Sequence, residues 1–247
     1  MHYCSNRHVR SGCGRGFSLI ELLVVMAVIG LLVVIGSSAH SRVTMLANQS
    51  QCASNMRQIG VALRMYANVN GDDLPGIAHS RPREESWIYT LAPFLDNSNA
   101  VRLSPADPMY EQKRRYDTAT SYVMNDMIFL ERVDPFGQPI PGFPKPSFNN
   151  IERPERVILA FTARERTDMV RFSVTNDHTH ATTWRAWSRV LSDISPDLHR
   201  VGKQSRDRTN GSTNYLFADG RVEAIPAADM KALIERGINF ADPNAQW

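Results

Sequence analysis

From Phe17 to Gly36 the sequence reads FSLIELLVVMAVIGLLVVIG, twenty residues with a single charge, Glu21. The run is too long for a buried strand and reads as a helix. At about 1.5 Å per residue that helix reaches about 30 Å, the thickness of a bilayer's hydrocarbon core. Arg7, Arg10 and Arg15 precede it, and only Arg42 lies close behind it. That asymmetry predicts the leader in the cytoplasm and the rest of the chain outside.

The chain has 247 residues with 28 Lys+Arg and 25 Asp+Glu. Three of the cations fall in the first sixteen residues, which hold no carboxylate, so the remainder carries 25 of each sign. A balanced body argues against a nucleic-acid binder that works by neutralising phosphates. With 43% apolar and 21% charged residues, wholesale disorder is excluded. Of three cysteines, Cys4 and Cys13 lie in the basic leader, which leaves Cys52 and no internal disulfide for the remainder.

Two processing routes compete on these residues. An ordinary export signal has an apolar stretch of roughly 7–15 residues and a small-x-small cleavage site. Ser37-Ser38-Ala39 fits such a site and would release a chain starting at His40. The stretch here is longer, and it carries a carboxylate that an ordinary signal has no use for. A carboxylate in a span is a functional feature by default, less costly near the edge than the roughly 2.5–3.5 kcal/mol it costs at the centre.

The segment Arg15-Gly16-Phe17-Ser18-Leu19-Ile20-Glu21 resembles the type IV prepilin signature. The resemblance implies cleavage by a membrane peptidase between Gly16 and Phe17 and N-methylation of Phe17. It makes Glu21 an assembly residue, paired with the Phe17 amine of a neighbouring subunit. It also implies a single-pass inner-membrane protein with its C-terminal domain extracytoplasmic. The implied partners are other pilin-like subunits, the prepilin peptidase and an inner-membrane assembly platform.

Beyond the span, Cys52, Met56, Ile59, Leu63 and Tyr66 recur at steps of 4, 3, 4 and 3, an apolar stripe on one helix face. The stripe predicts one helix from about Ser18 to about Asn68, ended by Gly71 and Pro75 and packed on the chain's own globular part. Ser86–Leu95 reads as a short helix, and Ser121–Met124, Arg156–Thr162 and Met169–Thr175 read as strands. Asp134–Pro146, with five prolines in thirteen residues, reads as a surface loop. Asp219-Gly220 between Tyr215–Phe217 and Arg221–Ile225 predicts a two-residue type I′ hairpin. Ala227–Arg236, between Pro226 and Gly237, predicts a last helix. The expected fold is α+β and pilin-like: a long N-terminal helix on an antiparallel sheet, with short peripheral helices. Its parts are a leader (1–16), a transmembrane and assembly helix (17–36), a continuation packed on the head (37–70) and a globular domain (71–247).

The rest of the chain resembles one group of prepilin-headed bacterial proteins. They carry a Cys-x-x-Asn-x-x-Gln-x-Gly element, here Cys52, Asn55, Gln58 and Gly60, and a Ser-Tyr-x-x-Asn element, here Ser121, Tyr122 and Asn125. They close on a histidine, nine residues and Asp-Gly, matched here by Asn214, Tyr215, Phe217, Asp219 and Gly220. Two positions depart: Thr209 stands where that histidine falls, and Ser104-Pro105-Ala106-Asp107 replaces a Cys-Pro-x-Asp segment. A disulfide or metal role built on those residues is therefore not carried over.

No hydrolase, phosphate-loop or zinc-protease motif is present, so the expectation is a non-enzyme without a cofactor. His178 and His180 are weak metal candidates beside Asp177, and Asp72 and Asp73 weak calcium candidates without a calcium loop's ligand spacing. Trp184 and Trp187 would suit sugar binding only if exposed. The function these residues point to is a pilin-like structural subunit of a type IV pilus-like or type II secretion pseudopilus filament. The alternative is a membrane-tethered extracytoplasmic binding module that uses the pilin export route.

Overall fold

The computed structural model describes residues 18–78, 82–134, 136, 138, 140–143, 145–165 and 177–247. Gly16 and Phe17, the leader cysteines and the expected strand Met169–Thr175 lie outside them. The chain divides into two compact units, Met1–Arg42 and Val43–Trp247.

Helix α1 runs unbroken over Leu19–Val69. It ends as its sequence predicts. Gly71 adopts φ +68°, and the Asp72 N–H donates back to the Ala67 carbonyl at 2.9 Å, a glycine-capped helix end. In the first unit the side chains from Leu19 to Val34 are all exposed. Among the described residues no helix is long and apolar enough to cross a membrane. The described run of apolar side chains falls short of the roughly 20 residues a bilayer core needs.

In the second unit, α2 (Trp87–Thr90), α3 (Tyr110–Lys113) and α4 (Asp126–Phe129) are single turns. Strands β1 (Tyr122–Met124), β2 (Ile158–Thr162), β3 (Ser212–Phe217) and β4 (Val222–Pro226) form one antiparallel sheet in that order. Helix α5 (Trp187–Asp193) precedes β3, and α6 (Ala227–Glu235) follows β4. The fold is α+β. The predicted helix Ser86–Leu95 breaks in two, because Pro93 cannot continue an α-helical ladder; α2 gives way to a 3-10 turn at Ala92–Leu95.

Two cores flank the sheet. On one face the α1 stripe of Cys52, Met56, Ile59 and Leu63, all fully buried, packs with Tyr122, Met124 and Leu216. On the other, Val123, Phe161, Tyr215 and Phe217 pack with α5, α6 and Phe240. Alternation along a strand sends successive side chains to opposite cores. Strand β2 breaks that rule, since Leu159 and Ala160 both join the α1 core. A register shift between Ile158 and Ala160 opposite β3 is the cause: the bulge inserts one extra residue.

The β3–β4 turn corrects the hairpin expectation. Leu216 pairs with Val222 and the Gly220 N–H donates to the Phe217 carbonyl, so the loop is three residues, Ala218 to Gly220. Only Gly220 has positive φ, +90°. This is the three-residue loop with a left-handed glycine, in which Asp219 needs no left-handed backbone.

Helix α1 approaches the sheet closely at Gly60, where a Cβ would lie 2.9 Å from Leu216 Cδ1. Leu216 is fully buried and has little room to yield. Gly60→Val should lower unfolding free energy by about 1–3 kcal/mol through overpacking. Gly60→Ala should cost less, because better helix propensity offsets part of the clash. Urea midpoints of the two variants check the ranking.

Candidate functional site

The start of α1 is a capping box. The Glu21 carboxylate accepts the Ser18 N–H at 2.9 Å, and Ser18 Oγ accepts the Ile20 N–H at 3.4 Å. Glu21 therefore has a local task that the sequence reading missed, although Ser-x-x-Glu ahead of an apolar run announces it. The side chain is exposed, and no described cation pairs with it.

Several motif residues from distant elements meet in one buried cluster: the Cys52 thiol lies against the side chains of Tyr122, Asn214 and Ser104, and Tyr122 lies against Asn55. Asn55 donates to the Leu103 carbonyl at 2.8 Å and accepts from Gln51 at 2.9 Å. Cys52 is fully buried, and burial raises its thiol pKa, which leaves it protonated and inert. Asp107 is a buried hub that accepts Lys113 Nζ and Ser121 Oγ, each at 2.6 Å, and the Met109 N–H at 2.8 Å. Asn125 donates to the carbonyls of Ile158 and Ala241, both at 2.8 Å, and caps α4. Asn214 donates to the Gln49 carbonyl at 2.8 Å and so ties β3 to α1.

Tyr215 is wholly buried, which pushes its phenol far above the usual range, with Asp197 adding to the effect. Arg221 stacks over the Phe217 ring at 3.8 Å, while Asp219 accepts the Arg221 N–H at 2.9 Å. Thr209 donates its hydroxyl to Asp207 at 2.9 Å. Asn55, Asp107, Asn125 and Asn214 are buried joints whose polar groups are partnered. The Asp219–Arg221 and Thr209–Asp207 contacts lie at the surface, and the Tyr215 hydroxyl has no hydrogen-bond partner among the described residues.

The weak metal candidates are engaged elsewhere. Asp177 is fully buried; it accepts Ser86 Oγ at 2.5 Å and meets His178 Nδ1 at 2.6 Å. The His178 and His180 rings lie 5.3 Å apart, and His180 faces Asp193. Asp73 pairs with Lys145, and Asp72 accepts Asn149 Nδ2 at 3.2 Å. Among the described residues no group of three or more His, Cys, Asp or Glu is placed to hold a metal. Trp184 and Trp187 are buried, donating to Asp193 and to the Asp207 carbonyl, so neither offers an exposed stacking face.

One cluster had no sequence signal. Asp197, fully buried, accepts Arg208 Nη2 at 2.7 Å and Nε at 2.9 Å. Arg208 holds this geometry from a left-handed backbone, φ +56°. Nearby in the chain, His199 is buried, and neither ring nitrogen has a hydrogen-bond partner among the described residues. Such pairings join loop residues of no recognised spacing, and only the folded chain shows them.

Comparison with known protein families gives two matches. A prokaryotic N-terminal methylation motif covers residues 14–37, which contain Gly16, Phe17 and Glu21. A family described as a protein of unknown function (DUF1559) covers residues 47–168. No curated protein matches the chain, and no solved structure does. The chain is thus prepilin-like: a type IV pilin-like methylation motif stands ahead of a segment, 47–168, that matches that family.

His199 gives the head a defined acid sensitivity. Burial lowers its imidazole from an ordinary 6.5 to about 4. Between those values the unfolded chain binds the proton and the folded chain does not, so stability falls as pH drops from 6.5 towards 4. The loss should approach about 3 kcal/mol at the lower end. Chemical denaturation of wild type and His199→Leu at pH 7 and pH 4.5 checks this: the variant should lack that part of the slope.

Proposed function

We propose that this chain is a pilin-like structural subunit of a type IV pilus-like or type II secretion pseudopilus filament. The observation that carries the proposal is the methylation motif at 14–37, set on a helix whose apolar side chains from Leu19 to Val34 are exposed. A face that large and apolar calls for lipid or other helices around it. In sequence the run extends to Phe17 and Gly36, twenty residues, enough to anchor the chain in the inner membrane before assembly. The leader 1–16 then lies in the cytoplasm and is removed after Gly16 by the prepilin peptidase, with methylation of Phe17. The domain that follows is extracytoplasmic. The assembly partners are copies of this chain or related pilins, handled by an inner-membrane platform.

Glu21 fixes the register of addition. Near the membrane edge its carboxylate is satisfied by the Ser18 N–H. Once packed among apolar helices, a charge needs a counter-charge as well. No Lys or Arg occurs between Phe17 and His40. The α-amino group created at Phe17 is the cation at hand, and methylation leaves it charged. A carboxylate reaching the amine of the next subunit sets the axial step.

Glu21→Gln keeps a side-chain acceptor for the Ser18 N–H and removes the charge. Membrane insertion of the variant should be unchanged or slightly better, while filament incorporation should drop sharply, most visibly in competition with wild type. Normal incorporation would contradict the subunit role of Glu21 and favour a tethered binding module.

A further inference from the structure

The head contains a cavity of about 340 Å³ beside α4 and the proline-rich segment, lined in part by Arg132, Lys145 and Arg153. Its apolar side is Ile128, Leu130 and Ile151, which pack partly against the α1 core. Against three cations the lining holds one carboxylate, Glu152. Lys145 is already paired with Asp73. Arg132 lays its guanidinium over the Phe143 ring at 4.3 Å. Neither Arg132 nor Arg153 forms an ion pair with a described carboxylate.

The frame around these cations is fixed by hydrogen bonds. The Ile140 N–H donates to the Arg132 carbonyl at 3.0 Å, and the Asp134 N–H to the Gln138 carbonyl at 2.8 Å. Asp134 Oδ1 accepts the N–H groups of Phe136 and Gln138 at 2.8 and 2.9 Å. Asn150 Nδ2 holds the Lys145 carbonyl at 2.8 Å. Asp134, two residues on from Arg132, is thus committed to its own turn. A guanidinium lying on an aromatic ring keeps its in-plane N–H edges available, the geometry that suits a carboxylate. The volume is within the usual range of small-molecule sites, of order 300–1,000 Å³.

We propose that this cavity binds a small organic carboxylate with an apolar body, its carboxylate held by Arg132 and Arg153 and its body on Ile128, Leu130 and Ile151. The proposal is independent of filament assembly. The test titrates the full chain, purified in a non-ionic detergent, with N-acetylphenylalanine and with its uncharged amide, using calorimetry. The acid should bind, and the amide should bind at least about tenfold more weakly. Arg132→Gln combined with Arg153→Gln should weaken the acid by a similar factor at unchanged melting temperature. Glu152→Gln, which removes the one opposing charge, should tighten it. Equal binding of acid and amide, no binding of the acid at about 10 mM, or weaker binding by Glu152→Gln would overturn the proposal.

Discussion

The docking of the second half of α1 onto the sheet organises everything else in the head. Cys52, Met56, Ile59 and Leu63 have no exposed surface. Burying side chains of that kind is worth roughly 1.5–3 kcal/mol each for the larger ones. The contact is directional as well as apolar. Gly60 lets the backbone approach Leu216, and Asn214 and Ser212 engage Gln49. Sliding the helix by one residue would strand these polar groups and turn the stripe away from the sheet.

The same helix face covers one side of the inner strands, and β1 to β3 are almost wholly buried while the edge strand β4 is largely exposed. With α1 over one face and α5, α6 and Phe240 over the other, strand residues alternate between two cores. The β2 bulge then assigns both Leu159 and Ala160 to the α1 side. The acid-sensitive and ion-paired groups, His199 and the Asp197–Arg208 pair, lie in the loop chain that leads into β3. Buried charges there are held by geometry that leaves little tolerance for loss of a partner.

What the sequence disclosed follows the strength of local signals. Helical periodicity from Cys52 to Tyr66 placed α1 and its buried face within a residue or so of its observed end. The strands β1 and β2 and the last helix were also legible, because β-branched and aromatic runs or a Pro–Gly pair bounded them. The place of the Asp219-Gly220 turn is legible but its type is not, since Asp-Gly serves both the two-residue loop and the three-residue loop with a left-handed glycine. The capping role of Glu21 is legible in the spacing Ser18-x-x-Glu21. The Asp107–Lys113–Ser121 hub, the Asp177–Ser86 contact and the cavity at Arg132 and Arg153 were not readable. They join residues far apart in sequence, and no spacing rule encodes such meetings.

One helix thus carries two different obligations. Its second half is buried against its own head, while its first half presents apolar side chains that are exposed among the described residues. The proposed filament of such subunits would satisfy both, and its chemical mark would be an N-methylated Phe17. The most direct measurement is mass spectrometry of filaments sheared from producing cells. The account predicts this chain among them, beginning at an N-methylated Phe17. A chain that begins at His40, or a processed chain found only as a membrane-bound monomer, would contradict it.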